Sequence, residues 1–224
     1  MQRPKVIALS DYLRQRDAEA LRARLGHRAG TEHWFVLYWR YWEQSLDRLA
    51  DYLREIKETR MPIDNLKTEA PADKPIFIAT RTFAASRALV WKVMTDPQHV
   101  IRWWGTDGQR NEITAFDFRP GGKWRIISHE PDGQDYIFIG EYREIVEPEK
   151  FVWTFGMENM FEGKTLVETH TFEEDGAITH YKSVSNYDSI EDRDGMVASG
   201  MEIGMRHGFM VMDQLLAELQ ETAK

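Results

Sequence analysis

The stretch that decides the fold runs Lys123-Trp124-Arg125-Ile126-Ile127-Ser128-His129, then Glu130-Pro131-Asp132-Gly133-Gln134, then Asp135-Tyr136-Ile137-Phe138-Ile139-Gly140-Glu141-Tyr142. Two runs rich in aromatic and branched residues flank a Pro-Asp-Gly punctuation. That is the pattern of two strands joined by a tight turn. The grammar repeats outward. Strand-like runs at Asn111–Phe118, Lys123–His129, Asp135–Val146, Phe151–Phe155, Thr165–Glu173 and Ile178–Asn186 alternate with Pro120-Gly121-Gly122, Pro131-Asp132-Gly133, Glu147-Pro148-Glu149 and Glu174-Asp175-Gly176. Turns this short join antiparallel neighbours, so the segment reads as a meander. Before it stands one more strand, Ile76–Phe83. A helix capped by Ser86 runs through Ala88–Met94, and another is opened by Asp96-Pro97 and ends at Trp103-Trp104-Gly105. After the strands, one long helix is predicted from Ser189 to Glu221. The class is α+β.

Upstream, Thr59–Pro75 holds Pro62, Pro71 and Pro75 among polar residues and reads as a linker over 61–74, with a domain over 75–224. Residues 1–60 read as a helical extension. Ser10 caps a first helix whose apolar side is Leu9, Leu13, Leu21 and Leu25, stopped at Gly26. In the second, Phe35, Trp39, Trp42, Leu46, Leu49, Leu53 and Ile56 recur at alternating steps of 4 and 3, the seam of a helix packed lengthwise on another helix. Its partner is either the same helix in a second subunit or the outside of the C-terminal domain; such a seam matches best with itself, so a homodimer through these residues is the leading expectation.

Composition narrows the function classes. The net charge is −8, and it is split: residues 1–60 carry 12 basic and 9 acidic side chains, net +3, and the rest carries 17 and 28, net −11. The larger segment repels phosphate, so a nucleic-acid surface is not expected there. No apolar run is long enough to span a bilayer, and the N-terminus has no signal-peptide pattern. Cysteine is absent, which removes disulfides and thiolate chemistry. A cytoplasmic protein is expected.

The words that fill this order resemble one family. They are Arg81-Thr82-Phe83 with Val90-Trp91-Lys92, Thr95-Asp96-Pro97, Arg102-Trp103-Trp104-Gly105, Arg119-Pro120-Gly121-Gly122-Lys123-Trp124, Gly140-Glu141-Tyr142 with Glu144-Ile145-Val146, and Gly200-Met201-Glu202 before Gly204-Met205. They resemble the bacterial homologues of the activator of heat-shock protein 90 ATPase, within the START/SRPBCC superfamily. The resemblance implies a helix-grip fold, a curved antiparallel sheet wrapped on a long C-terminal helix with an elongated, mostly apolar cavity between them. It implies no single activity, because superfamily members bind lipids, polyketides or hormones and some are cyclases. Residues 33–58, with Trp39-Arg40-Tyr41-Trp42 and Leu46-Asp47-Arg48-Leu49, are similar to the dimerising helix of ArsR-type repressors. Only about 33 residues precede that helix, too few for a complete winged helix-turn-helix. That kinship implies a dimerising helix kept and a DNA-reading part lost.

Candidate site residues follow from both readings. Gly200, Gly204 and Gly208 fall four apart on the last helix, and each costs about 1 kcal/mol against Ala in a helix interior. A bare ridge either admits a close backbone or leaves room for a guest. Met201, Met205, Met212, Leu216 and Leu219 form the adjacent row, and methionine suits a wall that adapts. A core face has the same signature. Trp103, Trp104, Trp124, Tyr136, Phe138, Tyr142, Trp153 and Phe155 lie on the elements around the expected cavity, and with Met201, Met205 and Phe209 they are the candidate ligand contacts. Glu168, His170 and Phe172 share one strand face by the period of two. An inward Phe172 turns Glu168 and His170 inward too, with His180 across the hairpin as a third candidate. A carboxylate beside imidazole in an apolar cavity orients a polar ligand head or works as an acid/base pair; the alternative is a satisfied structural hydrogen bond.

No H-E-x-x-H, G-x-G-x-x-G, P-loop or G-x-S-x-G occurs, so neither metal nor cofactor is expected. The leading reading is a non-enzymatic binding protein for a small apolar or amphipathic molecule. Behind it stand an enzyme of cyclase or hydrolase type using His170 and Glu168, and a regulatory or co-chaperone module acting by protein contact.

Overall fold

A computed structural model describes residues 65–105, 108–158 and 165–222. The seam Phe35, Trp39, Trp42, Leu46, Leu49, Leu53 and the whole 1–60 extension lie outside the described residues. Eight strands and four helices are described: β1 (Lys67–Glu69), β2 (Ile76–Phe83), α1 (Arg87–Thr95), α2 (Pro97–Trp103), β3 (Arg110–Phe116), β4 (Lys123–His129), β5 (Asp135–Val146), β6 (Lys150–Met157), β7 (Thr165–Asp175), β8 (Ile178–Asn186), α3 (Ile190–Ala198) and α4 (Met201–Thr222).

The strands form one antiparallel sheet in the order β1-β2-β8-β7-β6-β5-β4-β3. Each strand is hydrogen-bonded to its sequence neighbour except where β2 pairs with β8, which brings the two ends of the domain together. Alternation settles which side faces the helices. Phe77, Ala79, Arg81 and Phe83 of β2, and Trp124, Ile126 and Ser128 of β4, are buried, and their chain neighbours are not. All four helices lie over that buried face, so the core is a single layer between helices and sheet. The meander, the early strand, the two short helices and the α+β helix-grip architecture agree with the sequence reading.

Both outer strands are modest. β1 is three residues long, lies within the segment read as a linker, and exposes Lys67 and Glu69. β3 exposes Arg110, Glu112 and Thr114, and its register with β4 shifts between Ile113 and Ala115. A close approach marks the middle of the sheet. A Cβ on Gly140 would fall 1.9 Å from the Thr154 carbonyl oxygen and 2.4 Å from Trp124 Nε1, so only glycine fits there.

The last helix differs from expectation. It is two helices, because the chain turns at Ser199-Gly200 with Gly200 at φ +89. Gly200 is therefore the left-handed residue after a helix end, not part of a glycine ridge in a helix interior. Ser189 starts α3, its hydroxyl accepting from Asp192 N at 3.0 Å. Asp96 caps α2 through Gln98 N at 2.9 Å. Ser86 occupies the cap position of α1 without a side-chain cap hydrogen bond.

Two buried arginines fasten helices to the sheet. Arg81 Nη2 donates to both carboxylate oxygens of Asp213 at 2.7 Å, with its guanidinium 4.1 Å above the Phe83 ring and 4.8 Å from that of Phe209. Arg193 Nη1 donates to the carbonyls of Pro71, Lys74 and Ile76 at 2.8, 2.9 and 3.1 Å. Each replaces lost hydration by hydrogen bonds, without which a buried guanidinium is very costly.

Candidate ligand cavity

Where α4 crosses the sheet, Gly204 and Gly208 stand among the larger side chains of its inner side, and Gly208 lets the helix come close to α2, since a Cβ there would lie 3.3 Å from the Trp103 carbonyl oxygen. The close-packed interior opens there into a cavity of about 190 Å³. An empty apolar hollow of ~150 Å³ already accepts benzene, so this volume suits a molecule of one substituted ring. The ceiling is α3 and α4, through Met196, Met201, Met205 and Phe209. The floor is the sheet, through Phe138, Phe151, Trp153, Phe155 and Leu166, and Trp103 and Trp104 of the α2 end close one side. Trp104 is the hub of that side, with ring centroids 5.5 Å from Phe138 and 6.3 Å from both Trp153 and Phe155.

One patch of wall is polar. Glu168 and His170 of β7 and Tyr181 and Ser183 of β8 line it. Glu168 Oε1 accepts from Ser185 Oγ at 2.7 Å, and Oε2 accepts from Trp153 Nε1 at 2.8 Å. His170 Nδ1 lies 2.7 Å from the Tyr181 hydroxyl. The imidazole stacks on Phe151 at a 4.4 Å centroid distance and meets Trp153 edge-on. Its Nε2 is buried with no hydrogen-bond partner, 3.7 Å from Glu168 Oε2. Burial pushes the Glu168 carboxyl up, but the neighbouring imidazole, Ser185 and Trp153 outweigh that and hold it below the ordinary glutamate range. Glu168 is thus a fixed anion. Burial pushes the Tyr181 phenol up, so it stays protonated as a donor.

Of the residues singled out in the sequence, Trp103, Trp104, Phe138, Trp153, Phe155, Glu168, His170, Met201, Met205 and Phe209 line the cavity. Trp124, Tyr136 and Tyr142 do not. All three face the helices but are 1% exposed inside the packed aromatic layer, Trp124 lying 4.8 Å from Trp153 and Tyr142 4.8 Å from Phe118. His180 is also misplaced by the sequence reading. Its register partner on β7 is Glu173, whereas His170 pairs with Ser183, and His180 points out to solvent beside Asp175. Phe172 is inward as expected but packs in the core under Trp91. Sequence reasoning missed Met94, Gly105, Phe151, Leu166, Tyr181, Ser183, Tyr187 and Met196. Tyr181 was within reach, since a buried Tyr at alternation with Thr179 and Ser183 marks the inward face of β8.

Among the described residues no group of three or more His, Asp or Glu side chains is placed to hold a metal ion, and no helix is long and apolar enough to cross a membrane.

Comparisons with known proteins agree with the geometry. No curated protein matches the chain. Among solved structures, a crystal structure of a Mycobacterium smegmatis protein is 24% identical, covers 67% of this chain and 95% of its own, and superposes with a TM-score of 0.61. A solution structure of an Arthrobacter aurescens protein is 24% identical over 68% and 91%, at 0.63. The AHSA1 protein of Silicibacter pomeroyi is 18% identical over 63% and 97%, at 0.53. These likenesses show the fold. The profile of the family described as activator of Hsp90 ATPase homolog 1-like protein matches residues 84–219, more than half of the chain. With more than half of its length matched, the chain belongs to the activator of Hsp90 ATPase homolog 1-like family.

Proposed function

We propose that this chain binds a small apolar or amphipathic molecule in the cavity beneath α4, as a cytoplasmic homodimer joined through the 1–60 extension. The observation that carries the reading is the 190 Å³ hollow walled by rings and methionines. Well-packed interiors do not leave such a volume beside large apolar side chains without cost, since unfilled space forfeits dispersion contacts. The dimer rests on the 4-3 spacing of Phe35, Trp39, Trp42, Leu46, Leu49 and Leu53 alone.

Native mass spectrometry on the freshly purified full chain tests both parts. A dimer with a defined extra mass is the expected result. A monomer removes the seam argument. If no guest is retained, titration with small aromatic probes decides: a guest at a hundredfold over its Kd stabilises the fold by about 2.7 kcal/mol, and no stabilisation by any probe ends the binding reading.

A second reading, an enzyme acting on the same guest, is favoured by the imidazole Nε2 left free beside a fixed carboxylate. There His170 is the proton-carrying group and Glu168 its charge partner, because Glu168 is held ionised. Turnover of a captured guest that His170→Gln abolishes would establish it. The family's name suggests regulation through protein contact as well. Its support is slight, since the large apolar side chains exposed among the described residues, Ile101, Val146 and Ile178, sit on three separate elements.

A further inference from the structure

The four described helices account for one face of the sheet. On the other, Ile78, Val184, Thr169 and Val152 stand in register across β2, β8, β7 and β6. Ile76 and Val167 lie one pleat further along. All six are half-buried, and five of them are aliphatic. A sheet face that meets only water reads polar at such positions. The chain also reaches the domain on this side. Asn65 Nδ2 donates to the carbonyl and to the hydroxyl oxygen of Thr82, at 3.0 and 2.9 Å. Thr82 alternates with the buried Arg81 and Phe83, so its hydroxyl stands on the outer face.

The sequence before Asn65 calls for such a surface. Read as a helix, residues 33–56 carry the seam on one side, and Trp34, Tyr38, Tyr41 and Tyr52 fall roughly 80° round the axis from it. A partner helix paired at the seam leaves that second stripe uncovered. Stripe and patch match in chemistry. Tyrosine has an apolar body and a polar tip, and the patch sets branched aliphatic side chains beside the hydroxyls of Thr80 and Thr169. The tether fits as well. Eight residues separate Ile56 from Asn65, a reach of at most ~30 Å, and the four adjacent strands span only ~14 Å. So short a tether holds the segment at a local concentration on the order of mM. Residues 1–60 are net +3 and the remainder net −11, so the approach is attractive. We propose that the outer face of β2, β8, β7 and β6 is the docking surface for the aromatic stripe of residues 33–56 of the same chain. This docking requires neither a guest in the cavity nor a second subunit.

The chain has no cysteine, so a single one can be placed for labelling. In the full chain, Lys182→Cys on the outer face and Lys92→Cys on α1, both exposed positions, each carry a benzophenone photocrosslinker. Mixing with isotope-labelled chain separates links within one molecule from links between two. Expected is a link from position 182 into residues 33–58 of the same molecule, about tenfold stronger than from position 92. Val184→Lys and, separately, Tyr41→Lys should each cut that yield about tenfold, the weight of one apolar side chain lost from a contact. Tyr41→Lys alters no residue of the domain, so it reads the docking even if Val184→Lys fails to fold. Equal yields from the two positions, or no link from position 182 into 33–58, overturn the docking. Links only to a second molecule, whether to its 33–58 segment or to its sheet, overturn the same-chain assignment. A yield unmoved by Tyr41→Lys overturns the assignment of the stripe.

Discussion

The two ends of the helix-facing side of the sheet are built from the same strands and the same residue types, yet one is solid and the other hollow. At the solid end α1 lowers Trp91 between Phe118, Phe151 and Phe172, with ring centroids 5.9, 5.9 and 5.4 Å away and edge-to-face geometry throughout. Such contacts add to area burial. At the hollow end the floor is just as aromatic, with Trp153 and Phe155, but α4 crosses it with Gly204 and Gly208. Phe151 borders both regions. The lesson is that the sheet alone does not make the cavity: α4 roofs it with Met201, Met205 and Phe209 and carries no side chain at Gly204.

The contrast can be attacked from the solid end first, where the effect is largest. Trp91→Ala should cost about 3–5 kcal/mol in chemical denaturation, and it should open a second hollow that benzene partly restabilises. A loss under about 1 kcal/mol would mean that the solid end is not what holds the domain. Next comes the strut that carries α4 over the hollow. Asp213→Ala strands Arg81, whose side chain is 5% exposed, and should cost about 2 kcal/mol; the full figure for a sealed pair is discounted because the Asp213 side chain is 21% exposed.

The polar wall gives a smaller, pH-coded effect. Glu168→Gln weakens one of two hydrogen bonds and should cost about 1 kcal/mol at neutral pH. The folded carboxyl titrates below its ordinary value of 4.5, so its contribution is complete above that pH and is lost as pH falls through the lower folded value. Denaturation curves of the two proteins should therefore converge in acid. Parallel curves down to the acid limb would show that Glu168 is not held ionised by its neighbours. Smallest in stability is Gly204→Leu. The gain in helix propensity and the filled volume roughly offset strain, leaving a change under about 1 kcal/mol, while probe binding disappears. Retained binding would show that the hollow is not where guests sit.

Much of the fold was legible because its signals are local. Pro131-Asp132-Gly133 and Glu174-Asp175-Gly176 each end one strand and begin the next, and no distant residue is needed to read them. The break at Gly200 was hidden for a related reason. Glycine at four-residue spacing satisfies a helix face and a left-handed turn alike, and only the backbone tells them apart. The site was half legible. Period two indicates which face a side chain takes, and it put Glu168, His170 and Phe172 on the inward face that they occupy. It carries no information about where along the sheet a helix crosses. Trp124 and Trp153 share that face and lie almost ring on ring, but only Trp153 reaches the hollow. His180 failed on parity: with Tyr181 inward, its neighbour must point out.

The outer strands of the sheet bear on how the molecule behaves in a crowd. A sheet that is not closed into a barrel ends in rows of unpaired amides and carbonyls, which can template strand addition and aggregation. Here one border is a three-residue strand with Lys67 and Glu69 facing outward, and the other carries Arg110 and Glu112 and is thrown out of register between Ile113 and Ala115. Among the described residues neither border offers a second molecule a long, flat, uncharged run to extend, which works against edge-to-edge polymerisation.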